Sequence, residues 1–100
     1  MTVQIEIHEE QIAAFCRANR IRKLWLFGSV LNDDFGPESD VDVLVEFEPG
    51  AKVGFLDMAS MQIELTGLLG RRVDLRTPAE ISRHFRQEVM DAAELQYVRG

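Results

Sequence analysis

The sequence has little cysteine and no long apolar run. Cys16 is the single cysteine in 100 residues, which excludes an internal disulfide framework and suits a reducing compartment. No apolar run approaches the ~20 residues that a membrane-spanning helix needs. The stretch before Ile12 has neither a basic nor an apolar region, so no secretory signal is predicted. We therefore expect a cytoplasmic protein that does not associate with membranes.

Basic side chains are missing from a long central stretch. The formal net charge is −6, which argues against a general nucleic-acid-binding protein. No lysine or arginine occurs between Lys23 and Lys52. Two interpretations are open for this stretch, a solvated acidic face or a cation site. The acids concerned are Asp33, Asp34, Glu38, Asp40, Asp42, Glu46 and Glu48.

The predicted elements are short and alternate in type. Residues 1–100 are expected to form a single domain, of class α+β, with a small mixed β-sheet of three or four strands flanked by helices. Apolar spacing predicts helices, strands and one helical turn. They cover residues 9–18 (helix), 22–27 (strand), 29–34 (turn), 40–47 (strand), 55–69 (helix), 71–76 (strand) and a last helix opened by Thr77 and Pro78, with Ile81, Phe85 and Val89 on one side.

The ends of the elements carry further expectations. Asn19 is predicted to end the first helix in a left-handed conformation, and Gly70 the helix 55–69. Glu80 is expected to complete a capping box with Thr77. Residues 2–7 alternate and would add a weak strand. The last residues, Leu95, Tyr97 and Val98, are expected to extend the last helix or to contact a partner.

Gly28 and Ser29 follow the first buried strand and precede a helical turn. Glycine allows a tight turn and close approach of a ligand. Free N–H groups at the start of a helix, with the Ser29 hydroxyl, suit phosphate oxygens. Turns need such residues in any case, so this pair alone is weak evidence for phosphate binding.

Three aspartates make the cation interpretation concrete. Asp40 and Asp42 are two apart on a predicted strand, so they share a face at a spacing of roughly 6.6 Å. Carboxylates at that spacing can share Mg²⁺ ions, and two such ions can activate an attacking oxygen and stabilise the leaving one. Asp74 lies between two inward residues of another strand. If the strands pair, Asp74 would complete the site or accept a proton from an attacking hydroxyl.

The order Gly28-Ser29, then Ser39-Asp40-Val41-Asp42, then Asp74 resembles the nucleotidyltransferase motif of the DNA polymerase beta superfamily. The chain is most similar to its minimal nucleotidyltransferases, small prokaryotic proteins. The resemblance implies a polymerase-beta-like fold and Mg²⁺-dependent transfer of AMP from ATP to a hydroxyl. It also implies that Asp40, Asp42 and Asp74 are catalytic and hold two Mg²⁺ ions, and that Gly28, Ser29 and Ser39 bind the nucleotide.

The resemblance further implies a partner. Such proteins are commonly encoded beside a HEPN-domain toxin and act as its antitoxin, by binding it and, where active, by adenylylating a tyrosine on it. We expect a toxin–antitoxin system in which AMPylation of the HEPN toxin is the reaction, with no direct nucleic-acid contact. A small-molecule transferase, as in antibiotic-adenylylating relatives, is a weaker alternative because 100 residues leave little room for an acceptor domain.

One position departs from the family pattern. Asn32 occupies the place where an arginine often follows Gly-Ser, and an arginine there would pair with triphosphate oxygens. Lys52 or a basic group of the partner is a possible replacement. An inactive antitoxin that neutralises its partner by binding alone therefore stays open as the alternative function.

A second group of charges lies near the C-terminus. It is expected to be solvated surface, or else to meet an acidic partner or phosphates. Its members are Arg71, Arg72, Arg76, Arg83 and Arg86.

Overall fold

The computed structural model describes residues 5–31 and 35–99, which build three α-helices and one four-stranded sheet. Two short 3-10 helices, Gly28–Leu31 and Pro78–Glu80, join these elements. In chain order the main elements are α1 (Glu9–Ala18), β1 (Ile21–Phe27), β2 (Val41–Phe47), α2 (Phe55–Leu69), β3 (Val73–Arg76), α3 (Arg83–Ala92) and β4 (Glu94–Val98). The predicted α+β class with a small mixed sheet and flanking helices is confirmed.

The sheet has the strand order β3-β2-β1-β4. β1 runs antiparallel to both of its neighbours, whereas β2 and β3 are parallel. The connection between two parallel strands requires a crossover, which α2 supplies. As a result, β1 ends where β2 and β3 begin, and side chains from three strands meet at this edge of the sheet.

The core lies between one face of the sheet and helices α1 and α2. The alternating valines Val41, Val43 and Val45 of β2 are completely buried there, as a strand with one covered face requires. Leu65 of α2 and Phe15 of α1 belong to the same cluster. This apolar face fixes the register of β2 and thereby turns its even-numbered residues to the opposite face.

The opposite face of the sheet is only partly covered. Leu44 and its register partner Trp25 are buried on this side. Val89 and Ala92 of α3 border a cleft with Phe27, so α3 lies over this face. None of the residues of α3 is itself fully buried.

Four predicted elements agree with the structure to within one residue at each end. α1 covers residues 9–18 and α2 covers residues 55–69, as predicted, and Gly70 ends α2 with a left-handed φ of 69°. The strands predicted at 22–27 and 40–47 begin one residue earlier and one later, respectively. The third predicted strand begins at Val73 instead of Arg71.

The left-handed residue after α1 was predicted wrongly. Asn19 has a φ of −107°, and Arg20 takes the positive φ of 56° instead. The Asn19 side-chain amide donates to the carbonyl of Phe15 at 2.9 Å. The chain can therefore turn one residue later, because this side chain already satisfies a carbonyl at the end of the helix.

The last helix does not run continuously from Thr77. Glu80 accepts a hydrogen bond from the Thr77 N–H at 2.7 Å, which is the return half of a capping box, but only the 3-10 helix Pro78–Glu80 follows. Ile81 is extended, with a ψ of 134°, and Ser82 caps a separate helix, α3. Phe85, predicted on the apolar side, is 60% exposed.

The end of the chain forms β4, which was not predicted. Leu95, Tyr97 and Val98 lie in a strand that pairs with β1, not in an extension of α3. An unpaired β1 would present free N–H and C=O groups along its whole edge, and β4 satisfies them. The weak strand expected at residues 2–7 is not found at residues 5–7, and its first part lies outside the described residues. Over the described ranges, no helix is long and apolar enough to cross a membrane.

Candidate active site

Two aspartates from neighbouring strands lie side by side at the edge where β2 and β3 begin. Asp42 of β2 is the register partner of Asp74 of β3, and adjacent strands are ~4.8 Å apart. On its other side Asp42 is paired with Phe27, the last residue of β1. Asp40 precedes β2 by one residue, two positions before Asp42. The structure therefore brings the three predicted carboxylates to one edge of the sheet.

Gly28 packs directly against the Asp42 side chain. It has a φ of 77°, a conformation that residues with a side chain rarely adopt. A Cβ placed on Gly28 would overlap Oδ2 of Asp42. Glycine is thus required here for two reasons, the turn after β1 and the space that the carboxylate occupies.

Asp42 has a perturbed carboxyl group. Burial raises its pKa above the ordinary value of 3.8, and the neighbouring carboxylates Asp74 and Asp40 raise it further, whereas Arg76 lowers it. A carboxylate that is half-buried beside like charges is costly in the folded state. Such a cost is typical of sites in which a cation or a proton compensates.

The other two aspartates have arginine neighbours. Arg76 Nε donates to Asp74 Oδ2 at 3.1 Å. Arg72 Nε lies 3.8 Å from Asp40 Oδ1, with 82% of the arginine side chain exposed. Both pairs are solvent-accessible, so each contributes little to stability and can exchange for another partner of the carboxylate.

The predicted nucleotide-binding residues occupy different positions. Ser29 lies in the 3-10 helix directly after Gly28 and is partly exposed. Ser39 lies in the turn before Asp40, where its hydroxyl accepts a hydrogen bond from the Gly36 N–H at 3.0 Å. Ser29 thus follows the glycine that packs against Asp42, whereas the Ser39 hydroxyl is engaged within its own turn. Asn32 lies outside the described residues.

The carboxylate oxygens of the three aspartates are the type of ligand that a hard divalent cation prefers. Mg²⁺ prefers carboxylate oxygens and uses one or two of them together with substrate phosphates, and Asp42 supplies such oxygens in an electrostatically strained position. Over residues 5–31 and 35–99, no group of three or more His, Cys, Asp or Glu side chains is gathered closely enough to hold a metal ion by itself. A protein that completes its metal site with substrate phosphates does not need such a group.

In the part of the chain that the structure describes, a cleft of about 290 Å³ is lined by Ser39 and Asp40 together with Arg71 and Arg72, and two further clefts border the sheet. The smaller one, of about 230 Å³, lies beside Gly28 between β1 and α3, and its lining is almost entirely apolar. A larger cleft of about 560 Å³ lies at the far end of β2 and β3. None of the predicted site residues lines the larger cleft. The size of a cleft therefore does not identify the candidate active site in this protein.

The arginines of the C-terminal part were expected to be solvated, which holds for Arg72, Arg76 and Arg83 but was wrong for Arg71 and Arg86, which are partly buried. Arg86 is partly buried and donates to the carbonyls of Pro78 and Ile81. Arg71, Arg72 and Arg76 all lie beside the acidic residues or the turn that leads to them. A signal was present in the sequence, because Arg76 lies two residues after Asp74 and hence on the same face of the strand.

The comparisons with known proteins agree on one family. The model of the nucleotidyltransferase domain family matches residues 8–96. The Methanocaldococcus jannaschii protein MJ0435, whose name describes it as a candidate protein adenylyltransferase, is 30% identical over 73 residues, which cover 73% of this chain and 76% of that protein. The chain therefore belongs to the nucleotidyltransferase domain family, and the predicted enzyme class, nucleotidyltransferase, is confirmed.

Solved structures give the same result for the fold. A candidate minimal nucleotidyltransferase is 33% identical, with a TM-score of 0.70 and 85% of both chains covered. A toxin–antitoxin complex with AMP-PNP has a TM-score of 0.74 at 21% identity, covering 93% of this chain and 75% of that one. A complex of tri-AMPylated Shewanella oneidensis HEPN toxin with MNT antitoxin has a TM-score of 0.65 at 20% identity, covering 91% and 70%. The predicted polymerase-beta-like fold of the minimal nucleotidyltransferases is confirmed.

Proposed function

We propose that this protein is an antitoxin that transfers AMP from ATP to a hydroxyl, expected to be a tyrosine, of a HEPN-domain toxin. The observation that carries the proposal is the pairing of Asp42 with Asp74 against Gly28 at one edge of the sheet. Family membership supports nucleotidyl transfer. The name of the archaeal relative supports a protein acceptor, and the AMPylated HEPN toxin in complex with an MNT antitoxin supports the partner.

Each side chain has a role in this proposal. Asp40 and Asp42 would hold Mg²⁺, and Asp74 would act as the third carboxylate, holding metal or accepting the proton of the attacking hydroxyl. The magnesium ions would neutralise phosphate charge and stabilise the leaving oxygen. Gly28 and Ser29 would bind the triphosphate at the start of the 3-10 helix through backbone N–H groups and the Ser29 hydroxyl. Ser39 would support the nucleotide from the turn before Asp40.

In this proposal the partner protein supplies the acceptor hydroxyl, for which a small domain has no separate binding region. We take residues 1–100 as one nucleotidyltransferase domain acting in the cytosol, where a single buried cysteine is stable. The acceptor hydroxyl then comes from the toxin. The three aspartates of the site are also unsuited to binding nucleic acid, because nucleic acid is negatively charged as well.

Intact-mass spectrometry tests the proposal directly. The protein is incubated with ATP, Mg²⁺ and the HEPN protein encoded beside it, and the partner is expected to gain the mass of one or more AMP units. The double variant Asp40→Asn/Asp42→Asn is expected to reduce the rate by a factor of about 100 or more, the scale of losing preorganised charge in an active site.

A matched control keeps this experiment specific. Glu64→Gln/Asp91→Asn removes two exposed carboxylates outside the site and is expected to leave transfer unchanged. Full transfer by the Asp40/Asp42 double variant would contradict the assigned roles. Absence of transfer by the unchanged protein, with a stable complex formed, would contradict the enzymatic proposal itself.

A binding-only antitoxin is the second candidate. It is favoured by the hydrogen bond from Arg76 to Asp74, which engages an oxygen of the third carboxylate. Neutralisation of the toxin in cells by the Asp40→Asn/Asp42→Asn variant would support it. Loss of neutralisation in that variant, with the complex intact, would exclude it.

A further inference from the structure

The turn between Gly36 and Ser39 leads the chain into the site. The Ser39 N–H donates to the carbonyl of Gly36 at 3.1 Å, and the Ser39 hydroxyl accepts from the Gly36 N–H. These two bonds close the turn on itself. They do not attach it to the rest of the molecule, although the residue that follows the turn is Asp40.

The guanidinium of Arg71 makes that attachment. One of its terminal nitrogens donates to the carbonyl oxygens of both Gly36 and Ser39, the latter at 3.0 Å. The guanidinium carbon lies 4.3 Å from the centre of the Phe35 ring. Phe35 itself packs against the hydrophobic core. The arginine thus joins the turn to the core through an aromatic ring, a contact that is suited to a planar cation.

The backbone next to Arg71 holds the other side of Asp40. The Val41 N–H donates to the carbonyl of Arg72 at 2.8 Å, at the start of the parallel pairing of β2 and β3. Asp40 lies between two residues that are held in this way. The carbonyl of Ser39 accepts from the Arg71 side chain, and the N–H of Val41 donates to the backbone carbonyl of Arg72. The segment 71–72 therefore fixes the chain on both sides of Asp40.

The position of Arg71 is itself well determined. It follows Gly70, which ends α2 in a left-handed conformation, and it precedes β3 by two residues. Its backbone is held between a helix end and a strand, so its side chain starts from a defined place. Arg71 reaches 32 residues back along the sequence to Ser39, a link that local sequence patterns do not indicate.

We propose that Arg71 is a positioning residue that sets the place of Asp40 relative to Asp42. It acts through the Gly36–Ser39 turn and need not touch the nucleotide. This inference rests on the proposed function, because it assigns Asp40 to the divalent cation. Groups that orient metal ligands typically change metal affinity or activity about 10- to 100-fold when they are replaced.

The decisive variant is Arg71→Lys. Lysine keeps the positive charge and can donate hydrogen bonds, but it lacks the planar guanidinium that contacts the Phe35 ring and holds the donor nitrogen over the turn. Hydrogen exchange of the amides of residues 35–41 is measured by mass spectrometry, with α1 as the internal reference. Binding of Mn²⁺ in the presence of AMP-PNP is measured from the free-ion electron paramagnetic resonance signal.

Three results are expected for Arg71→Lys. Exchange in residues 35–41 becomes faster while α1 is unchanged, and Mn²⁺ affinity falls by about 10- to 100-fold. In the transfer assay at saturating Mg²⁺, kcat falls while KM for ATP changes little, because the proposed triphosphate contacts at Gly28 do not involve Arg71. Arg83→Lys, at an exposed arginine of α3, is the matched control and is expected to leave all three quantities unchanged.

The contradicting results are equally defined. Unchanged exchange and unchanged Mn²⁺ affinity in Arg71→Lys would overturn the inference. So would a rise in KM for ATP with exchange unchanged, which would place Arg71 on the nucleotide instead. If the unchanged protein transfers no AMP, the proposed function fails while the exchange measurement still decides whether Arg71 holds the turn. A thermal melt of each variant separates these effects from unfolding.

Discussion

At the scale of single residues, the site is built from pairs that would be unfavourable elsewhere. Gly28 and Asp42 are in contact because one lacks a side chain, and Asp42 and Asp74 are paired although they carry the same charge. Aspartate is uncommon in strands, so two in register require compensation. Natural proteins accept such local costs mainly at functional sites.

Replacement of Gly28 by alanine tests the contact with Asp42. Gly28→Ala is expected to destabilise the protein by about 1–2 kcal/mol from the left-handed backbone alone, and to abolish transfer because the new methyl group displaces the Asp42 carboxylate. Urea unfolding and the AMP-transfer assay measure the two effects.

A second glycine provides the matched control. Gly67 lies within α2, and a Cβ there meets nothing within 4 Å. Gly67→Ala is therefore expected to stabilise the protein by about 0.5–1 kcal/mol with transfer unchanged. Equal effects of the two substitutions would contradict the special role of Gly28.

Replacement of Asp42 by asparagine is expected to make the metal-free protein more stable. The folded state raises the pKa of Asp42 above 3.8, so the unfolded chain releases this proton first as the pH rises. The carboxyl group therefore costs stability increasingly as the pH rises above about 4. Solvent screening limits the gain at neutral pH to under about 1 kcal/mol.

Thermal melts of Asp42→Asn and the unchanged protein, in EDTA from pH 4 to 7, measure this effect. The difference in melting temperature is expected to grow with pH. A difference that is constant or reversed over this range would show that the carboxylate is not strained in the folded state.

At the scale of elements, the spacing of apolar residues predicted those helix and strand limits that packing in the core determines. The limits of α2 follow from its apolar spacing and from Gly70, and those of β2 from alternating valines. Local rules failed where contacts distant in sequence decide. Thr77, Pro78 and Glu80 are good helix-start residues, yet Arg86 binds the carbonyls of Pro78 and Ile81, and Ser82 starts a second helix.

The same distinction applies to the site. The alternation along the strand predicted that Asp40 and Asp42 share a face, and that Asp74 joins them if the two strands pair. The parallel pairing of β2 with β3 meets this condition, because it places Asp74 beside Asp42. The contacts of Arg71 and Arg76 were not predicted, because an arginine in a charged segment is normally solvated. The bond from Arg71 to Ser39 depends on the sheet having formed.

Removal of the cap of α3 tests the independence of this helix. The Ser82 hydroxyl accepts from the His84 N–H at 3.4 Å, a long bond. Ser82→Ala is expected to cost about 0.5 kcal/mol, the low end of the range for capping residues. Hydrogen exchange in residues 83–87 is expected to accelerate, with that of α2 unchanged. Equal acceleration in both helices would mean that α3 does not open separately.

At the scale of the whole molecule, the buried thiol of Cys16 reports on global unfolding. Its side chain is 0% exposed, and burial raises the pKa of the thiol to about 12 from its ordinary value of 9.0. Because the thiolate is the reactive form, labelling of the folded protein at pH 8 is expected to require opening of the core.

Kinetics of labelling with a maleimide measure this opening. The rate is expected to rise in proportion to the unfolded fraction as urea is added. Stability is also expected to fall above about pH 9, because the unfolded thiol loses its proton there while the folded one keeps it. Fast labelling without urea, at an intact melting temperature, would contradict the burial of Cys16.

The pairing of β4 with β1 has a consequence for how the protein is made. β1 is complete at residue 27, yet its second neighbour is not synthesised until residues 94–98. Closing so long a loop is entropically costly and slows folding. During translation, the edge of β1 that β4 will cover therefore stays open for most of the synthesis time, because β2 pairs with the other edge of β1.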